Sequence, residues 1–347
     1  MKATGGLLPN VEAAAPGPAL ESVPSPAAPA AVSGQVRRRS DLKLALPSRL
    51  LFYLMVATLH LLSLLPDLAL YWLGVIAGWL AFKLDSRHVK IGLKNLEIAF
   101  PDLTPDARRR ILRASYVNLG RSGAEYVRLG GFFSRRMMRK VRYERLELWE
   151  EMKRRHPGRG ILVLTAHFGN FELLMAAHAM NGYQISLVHH TQRFAAGDAL
   201  MTFVRERAGV EVIRKHAAAR PVLRALRTGE MVGIPFDQNA KRSEAVFVPF
   251  FTELAATSSG LARLARMSGA AIAPVFIVRD PNHRTHRIVI HDELRLQRTG
   301  DLDADIMENT RRFVAAIEQM VRAYPEQFLW THRRFRTRPR GAPKIYD

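Results

Sequence analysis

The run Thr165-Ala-His-Phe-Gly-Asn-Phe-Glu172 gathers the residue types best suited to chemistry in this chain. A carboxylate on one nitrogen of His167 would fix the imidazole tautomer. The other nitrogen would then be open to take a proton from a substrate hydroxyl. Glu172, in the first turn of a helix, is the candidate orienting carboxylate. The alcohol itself would be the nucleophile, because no G-x-S-x-G elbow supplies a serine. The chain has no cysteine, which excludes a thiol nucleophile, a zinc-thiolate centre and a disulfide framework. The same spacing also arises where a histidine ends a strand and an ordinary acid favours a helix N-terminus. The pattern by itself leaves both readings open.

The surrounding hydrophobic periodicity says how such a pair would be positioned. Gly160–Leu164 reads as a buried strand and Phe171–Met180 as a helix, so His167 falls in the loop at the strand's carboxyl end. Ligand sites of open α/β sheets lie at that edge. Further along, Gln184–His189, Met231–Pro235, Ala271–Val278 and Arg287–Ile290 read as strands. Lys90–Gly130, broken by a turn and N-cap at Thr104-Pro105, reads as helical, as do Pro221–Thr228, Thr257–Met267 and Asp303–Tyr324. Strands alternating with helices predict an α/β domain over residues 91–347, with a largely parallel central sheet flanked by helices.

The first 40 residues are rich in Ala, Pro, Gly and Ser and predict a disordered tail. Residues 41–90 differ. Two apolar stretches, Leu50–Leu65 and Leu68–Phe82, are separated by Pro66-Asp67, and Tyr71, Trp72 and Trp79 suit a membrane interface. Each stretch is a little short for a straight span of roughly 20 residues. Basic residues flank both sides, so both ends prefer the cytoplasmic face. A helical hairpin, or a tilted span followed by an interfacial helix, satisfies this; a pair of buried core helices is the soluble alternative. The 52 Lys and Arg against 31 Asp and Glu give a net charge of +21, which favours acidic partners of any kind.

The motif run resembles the H-x-x-x-x-(D/E) block of the lysophospholipid acyltransferase superfamily and, more closely, the bacterial lipid A late acyltransferases. Other segments are similar in the same order along the chain. These are Asn95-Leu-Glu-Ile-Ala-Phe-Pro-Asp-Leu103, Pro235-Phe-Asp237-Gln238, Val246-Phe-Val-Pro-Phe-Phe251 with Ala255-Ala-Thr257 and Ala265-Arg-Met-Ser-Gly-Ala270, and Pro325 to Phe335 with Arg338-Pro339. The resemblance runs from about residue 45 to the end; the Ala/Pro-rich tail has no counterpart. It implies a glycerol-phosphate-acyltransferase-like fold and direct transfer of a fatty acyl chain from acyl carrier protein to a hydroxyl of a Kdo-bearing lipid IVA-type precursor at the inner membrane. No cofactor and no metal would be needed. His167 would be the general base and Glu172 its orienting carboxylate. Arg193 lies where the family carries a functional arginine, although the usual Tyr-Arg-Pro pattern is absent. Asp237 would position the acceptor or the site loop, and His332, Arg333 and Arg334 would grip phosphate.

Two other readings compete. One keeps the fold and changes the acceptor to a lysophospholipid, an ornithine lipid or a phosphoinositide mannoside, with acyl-CoA as a possible donor. The other, from a different class, is a membrane-tethered basic protein binding nucleic acid through its charge. No nucleic-acid-binding module is recognisable and the basic residues are dispersed, so nucleic acid is not an expected partner.

Overall fold

A computed structural model describes residues 44–132 and 134–346. The tail expected to be disordered, with Arg37–Arg39, lies outside these described residues. The chain opens with two apolar helices, α1 (Leu46–Leu62) and α2 (Asp67–Leu84), followed by α3 (Ser86–Ala99) and the long α4 (Pro105–Gly130). Pro66 separates the first pair. Asp85 caps α3 by accepting from the His88 amide at 3.2 Å, and Thr104 caps α4 by accepting from the Ala107 amide at the same distance. A short α5 (Ser134–Met138) leads into β1 (Val141–Glu144) and α6 (Leu146–Arg155).

The alternating part follows: β2 (Ile161–Thr165), α7 (Phe171–Met180), β3 (Ile185–His189), α8 (Ala195–Arg207), β4 (Glu211–Arg214), α9 (Ala219–Arg227) and β5 (Met231–Pro235). A two-stranded antiparallel hairpin, β6 (Ala245–Phe250) and β7 (Glu253–Ser258), precedes α10 (Gly260–Ser268). Then come β8 (Ala271–Arg279), β9 (His286–Ile290) and α11 (Leu302–Ala323). The seven-stranded sheet has the order β1-β9-β8-β2-β5-β3-β4. Every neighbouring pair is parallel except β8 with β9. The expected α/β class with a mostly parallel sheet flanked by helices is therefore what the chain adopts.

Three differences from the sequence reading have a physical reason. Glu253–Ser258 is a strand, so Thr257 does not begin a helix; α10 starts at Gly260. The small Ala255, Ala256 and Thr257 side chains are fully buried, and pairing with β6 claims a backbone whose two alanines carry little strand preference. The edge strands β1 and β4 escape the periodicity because each has four residues with charges among them. Neighbouring strands, rather than an apolar run, hold them in the sheet. The Asn170-capped α7, by contrast, falls where the pattern places it.

The apolar helices join the rest of the chain through close backbone contact. A Cβ on Gly78 would lie 2.4 Å from the Tyr116 carbonyl, and one on Gly120 would lie 2.1 Å from the Gly74 carbonyl. Gly74 and Gly78 thus let α2 and α4 touch backbone to backbone, as small residues do at helix pairs within lipid. Buried Arg128 of α4 donates to the carbonyls of Ser63 and Leu65 (the latter at 2.7 Å), binding the α1–α2 turn to the same helix. The outward side of both helices stays apolar and exposed: Leu50, Leu54, Leu61, Leu68, Trp72 and Ile76 are each more than half exposed. Among the described residues α2 alone is long and apolar enough to cross a membrane.

Candidate active site

Strand β2 sits near the middle of the sheet, between β8 and β5, and the chain leaves it at the carboxyl edge where order reverses. Thr165, the last residue of β2, is in register with Pro235, the last residue of β5. Two residues beyond each strand end, His167 and Asp237 meet. His167 Nδ1 lies 2.8 Å from Asp237 Oδ1, and the same oxygen accepts from the His167 backbone amide at 3.1 Å. The Asp237 side chain is almost fully buried, whereas about a fifth of the His167 side chain is exposed. With Nδ1–H donating to the carboxylate, Nε2 carries the open lone pair. The Gln238 amide nitrogen stands 3.4 Å from it.

Burial pulls the His167 pKa down, but the charge and hydrogen bond of Asp237, together with the charge of Glu172, outweigh it and hold the imidazole above its usual value. For Asp237 burial acts upward, and His167 overrides it and keeps the carboxyl below the usual range. His332 packs into the same neighbourhood. Its own burial takes it down to about 4, so it is a neutral ring near neutral pH.

The carboxylate bonded to His167 is Asp237 and not Glu172. Glu172 Oε1 and Oε2 are held bidentately by Arg205 Nη2 and Nε at 2.5 and 2.9 Å, and Arg205 is itself buried. The reason is geometric. Glu172 sits one residue into α7 and points across to α8, where Arg205 waits. Arg205 also donates to His189 Nδ1 at 2.8 Å, and His189 Nε2 lies 2.7 Å from Asp198. Arg214 closes this buried chain on the far Asp198 oxygen at 2.5 Å. Glu172 still acts on His167 through its charge. Nothing in the sequence marks Arg205, which is one of many arginines on a helix without a motif.

Arg193 lies exposed in the loop after β3 and takes no part in this chain of contacts. Arg334 is a correction to the expected phosphate grip. Its guanidinium is buried, donating to the Gln238 and Ala256 carbonyls at 3.1 and 2.9 Å and to Thr257 Oγ1 at 2.6 Å. Spent on the backbone of the β5–β6 loop and β7, it cannot reach an outside ligand. Arg333, half-buried, has its guanidinium carbon 5.9 Å from the centre of the Tyr346 ring.

The carboxy-terminal segment serves as a clamp on the motif loop. The Leu329 amide donates to the His167 carbonyl at 3.1 Å, the Gly169 amide to the Gln327 carbonyl at 2.8 Å, and Phe168 bridges Phe328. Asn95 of α3 holds the clamp in turn, donating to the carbonyls of Trp330 and His332 at 2.6 and 2.8 Å. Gly169 has φ +57°, and a Cβ there would fall 2.0 Å from the Ile277 carbonyl, so the turn requires glycine. Behind the loop, Asn170 caps α7 through Oδ1 and donates to Glu125 Oε2 at 2.8 Å. Glu125 is paired with buried Arg279 and with His286.

This arrangement suits a base that takes a proton from a hydroxyl arriving over the sheet edge. The comparisons with known proteins give the family. Residues 38–337 match the model of the bacterial lipid A biosynthesis acyltransferase family. The lipid A biosynthesis lauroyltransferase of Escherichia coli K12 is 30% identical over 302 residues, covering 86% of this chain and 96% of that protein. The palmitoleoyltransferase of the same strain is 31% identical, covering 81% and 90%, and the myristoyltransferase 26%, covering 85% and 89%. Among solved structures, the 1-acyl-sn-glycerophosphate acyltransferase of Thermotoga maritima aligns with a TM-score of 0.30 at 14% identity, covering 69% of this chain and 97% of that one. The chain belongs to the bacterial lipid A biosynthesis acyltransferase family and is an O-acyltransferase.

Proposed function

We propose that this acyltransferase moves a fatty acyl chain from an acyl carrier protein thioester to a hydroxyl of a Kdo-bearing lipid A precursor, at the cytoplasmic face of the bacterial inner membrane. The observation that carries the mechanism is His167 fixed by Asp237 through Nδ1, with about a fifth of the His167 side chain exposed at the carboxyl edge of the sheet. The acceptor hydroxyl gives its proton to Nε2 as its oxygen attacks the thioester carbonyl carbon. The tetrahedral oxyanion collapses, the C–S bond breaks, and the leaving thiolate takes the proton back from the imidazolium. An ester and a free carrier thiol result, with no acyl-enzyme. Asp237 stabilises the imidazolium, and Glu172 adds negative potential while neutralising Arg205. Gln238 offers a neutral donor beside the reacting atoms. Arg193, on the same edge of the sheet, is positioned to meet an acidic ligand.

Membrane docking is supported by the exposed apolar face of α1 and α2. Because the inner face of α2 is shared with α4, which carries Arg121 and Glu125, we infer that the outward face alone enters the lipid, as an interfacial anchor does. The net charge of +21 suits anionic lipid and an acidic carrier.

The test is acyl transfer by purified membranes supplied with radiolabelled acyl carrier protein and the tetraacylated Kdo-bearing precursor. Labelled penta-acyl product from the native chain, absent with His167→Ala, is the expected result. Acylation of lysophospholipids in place of that precursor would overturn the acceptor, and full activity of His167→Ala would overturn the mechanism.

A further inference from the structure

A cavity of ≈ 370 Å³ opens where α2 and α4 meet the β8–β9 hairpin loop, and His167 is not among its lining residues. Its walls carry four basic side chains, Arg121, Arg128, Lys140 and Arg284, and two acids, Asp67 and Glu125. Both acids are already engaged: Asp67 with Arg128 and Lys140 at 2.7 and 3.0 Å, Glu125 with Arg279 and His286. Among the described residues neither Arg121 nor Arg284 has a carboxylate within ion-pair distance, and buried Arg121 Nε has no hydrogen-bond partner. Both guanidiniums nevertheless converge on one ring, 5.3 and 5.7 Å from the centre of Tyr71. Two like charges drawn to one aromatic side chain leave a gap in which an anion would be stabilised by both. His283 on the rim feels the same field: burial, then Arg121 and Arg279, hold it below the usual imidazole range.

We propose that this cleft binds the phosphate of an acidic phospholipid head group. Lipid is favoured over a soluble anion by what lies next to the mouth. Leu68 and Trp72, both 53% exposed, continue from the cleft onto the apolar outer face of α2, where acyl chains would lie. The cleft is thus a polar socket at the edge of an apolar surface, the layout of an interfacial lipid site.

Vesicle binding of the full chain tests this without acyl donor or acceptor, so its result stands apart from the acyl-transfer reading. Phosphatidylcholine vesicles with and without phosphatidylglycerol are compared for the native chain, for Arg121→Gln/Arg284→Gln, and for Arg220→Gln/Arg227→Gln, which removes equal charge from α9. The cleft pair is expected to weaken binding to the anionic vesicles on the order of tenfold while leaving neutral vesicles unchanged. The α9 pair should have a much smaller effect. Equal losses in the two double variants would reduce the effect to general surface charge and overturn the site. Binding of inorganic phosphate by the native chain that is lost in the cleft pair, with anionic-vesicle binding unchanged in that pair, would overturn lipid as the occupant. Should Arg121→Gln disturb folding, exposed Arg284→Glu alone carries the test, and unchanged anionic binding in that variant overturns the proposal.

Discussion

His167 and Asp237 stand at matching positions, each two residues beyond the end of neighbouring parallel strands whose last residues, Thr165 and Pro235, are in register. That register brings Nδ1 and Oδ1 to 2.8 Å, although 70 residues separate the two side chains. The pair therefore belongs to the sheet rather than to the motif loop. Its catalytic consequences can be measured directly.

Replacing Asp237 with Asn should lower kcat by roughly 10²–10⁴-fold, because the amide neither fixes the productive tautomer nor stabilises the imidazolium. The pH profile gives a sharper readout. A base acts when deprotonated, so activity is present above the His167 pKa and lost as pH falls through it. Asp237 and Glu172 hold that pKa above 6.5 in the native chain. The acid limb of kcat/KM in Asp237→Asn should therefore move to lower pH, and an unmoved limb would assign it to another group.

Glu172 and Arg205 form a buried bidentate pair, so removing one partner leaves an uncompensated charge. Glu172→Gln and Arg205→Gln should each destabilise the fold by about 3 kcal/mol. The double variant should be markedly more stable than the sum of the two implies. Urea unfolding of all four proteins provides the cycle. Strict additivity would mean the ion pair contributes nothing to the fold.

Arg334→Ala should behave as a folding defect. Its guanidinium serves two backbone carbonyls and a threonine hydroxyl inside the protein, and a loss of about 3 kcal/mol, seen as a lower Tm, is expected. The KM for the phosphorylated acceptor should stay near native in the protein that remains folded. A raised KM with native Tm would restore the phosphate-gripping role.

Gly169→Ala should be worse than an ordinary loop substitution. The left-handed backbone and the Ile277 carbonyl 2.0 Å from the added methyl must both be accommodated, and the clamp to Gln327 strains with them. A cost of at least about 2 kcal/mol follows, with His167 displaced and kcat reduced. Native stability and turnover in this variant would show that the turn relaxes freely.

The α/β class, the place of His167 at a strand's carboxyl end and the motif helix Phe171–Met180 are all legible in the order of residues. Each rests on local information, the hydrophobic period of strand and helix. The same is true of the apolar pair α1 and α2, whose outward residues are visible as two Leu-rich runs around Pro66. Which side chains meet is settled by the folded chain. Glu172 was the nearer carboxylate along the chain, yet α7 aims it at Arg205, and strand register delivers Asp237 to His167 instead. Arg334 sits in a basic run that reads as a surface grip, and the fold turns it inward onto β7. Asn95, α3's link to the clamp, is 235 residues from Trp330. Such pairings depend on strand order and helix direction, which arise from burying the whole sheet at once, and no window of sequence contains them.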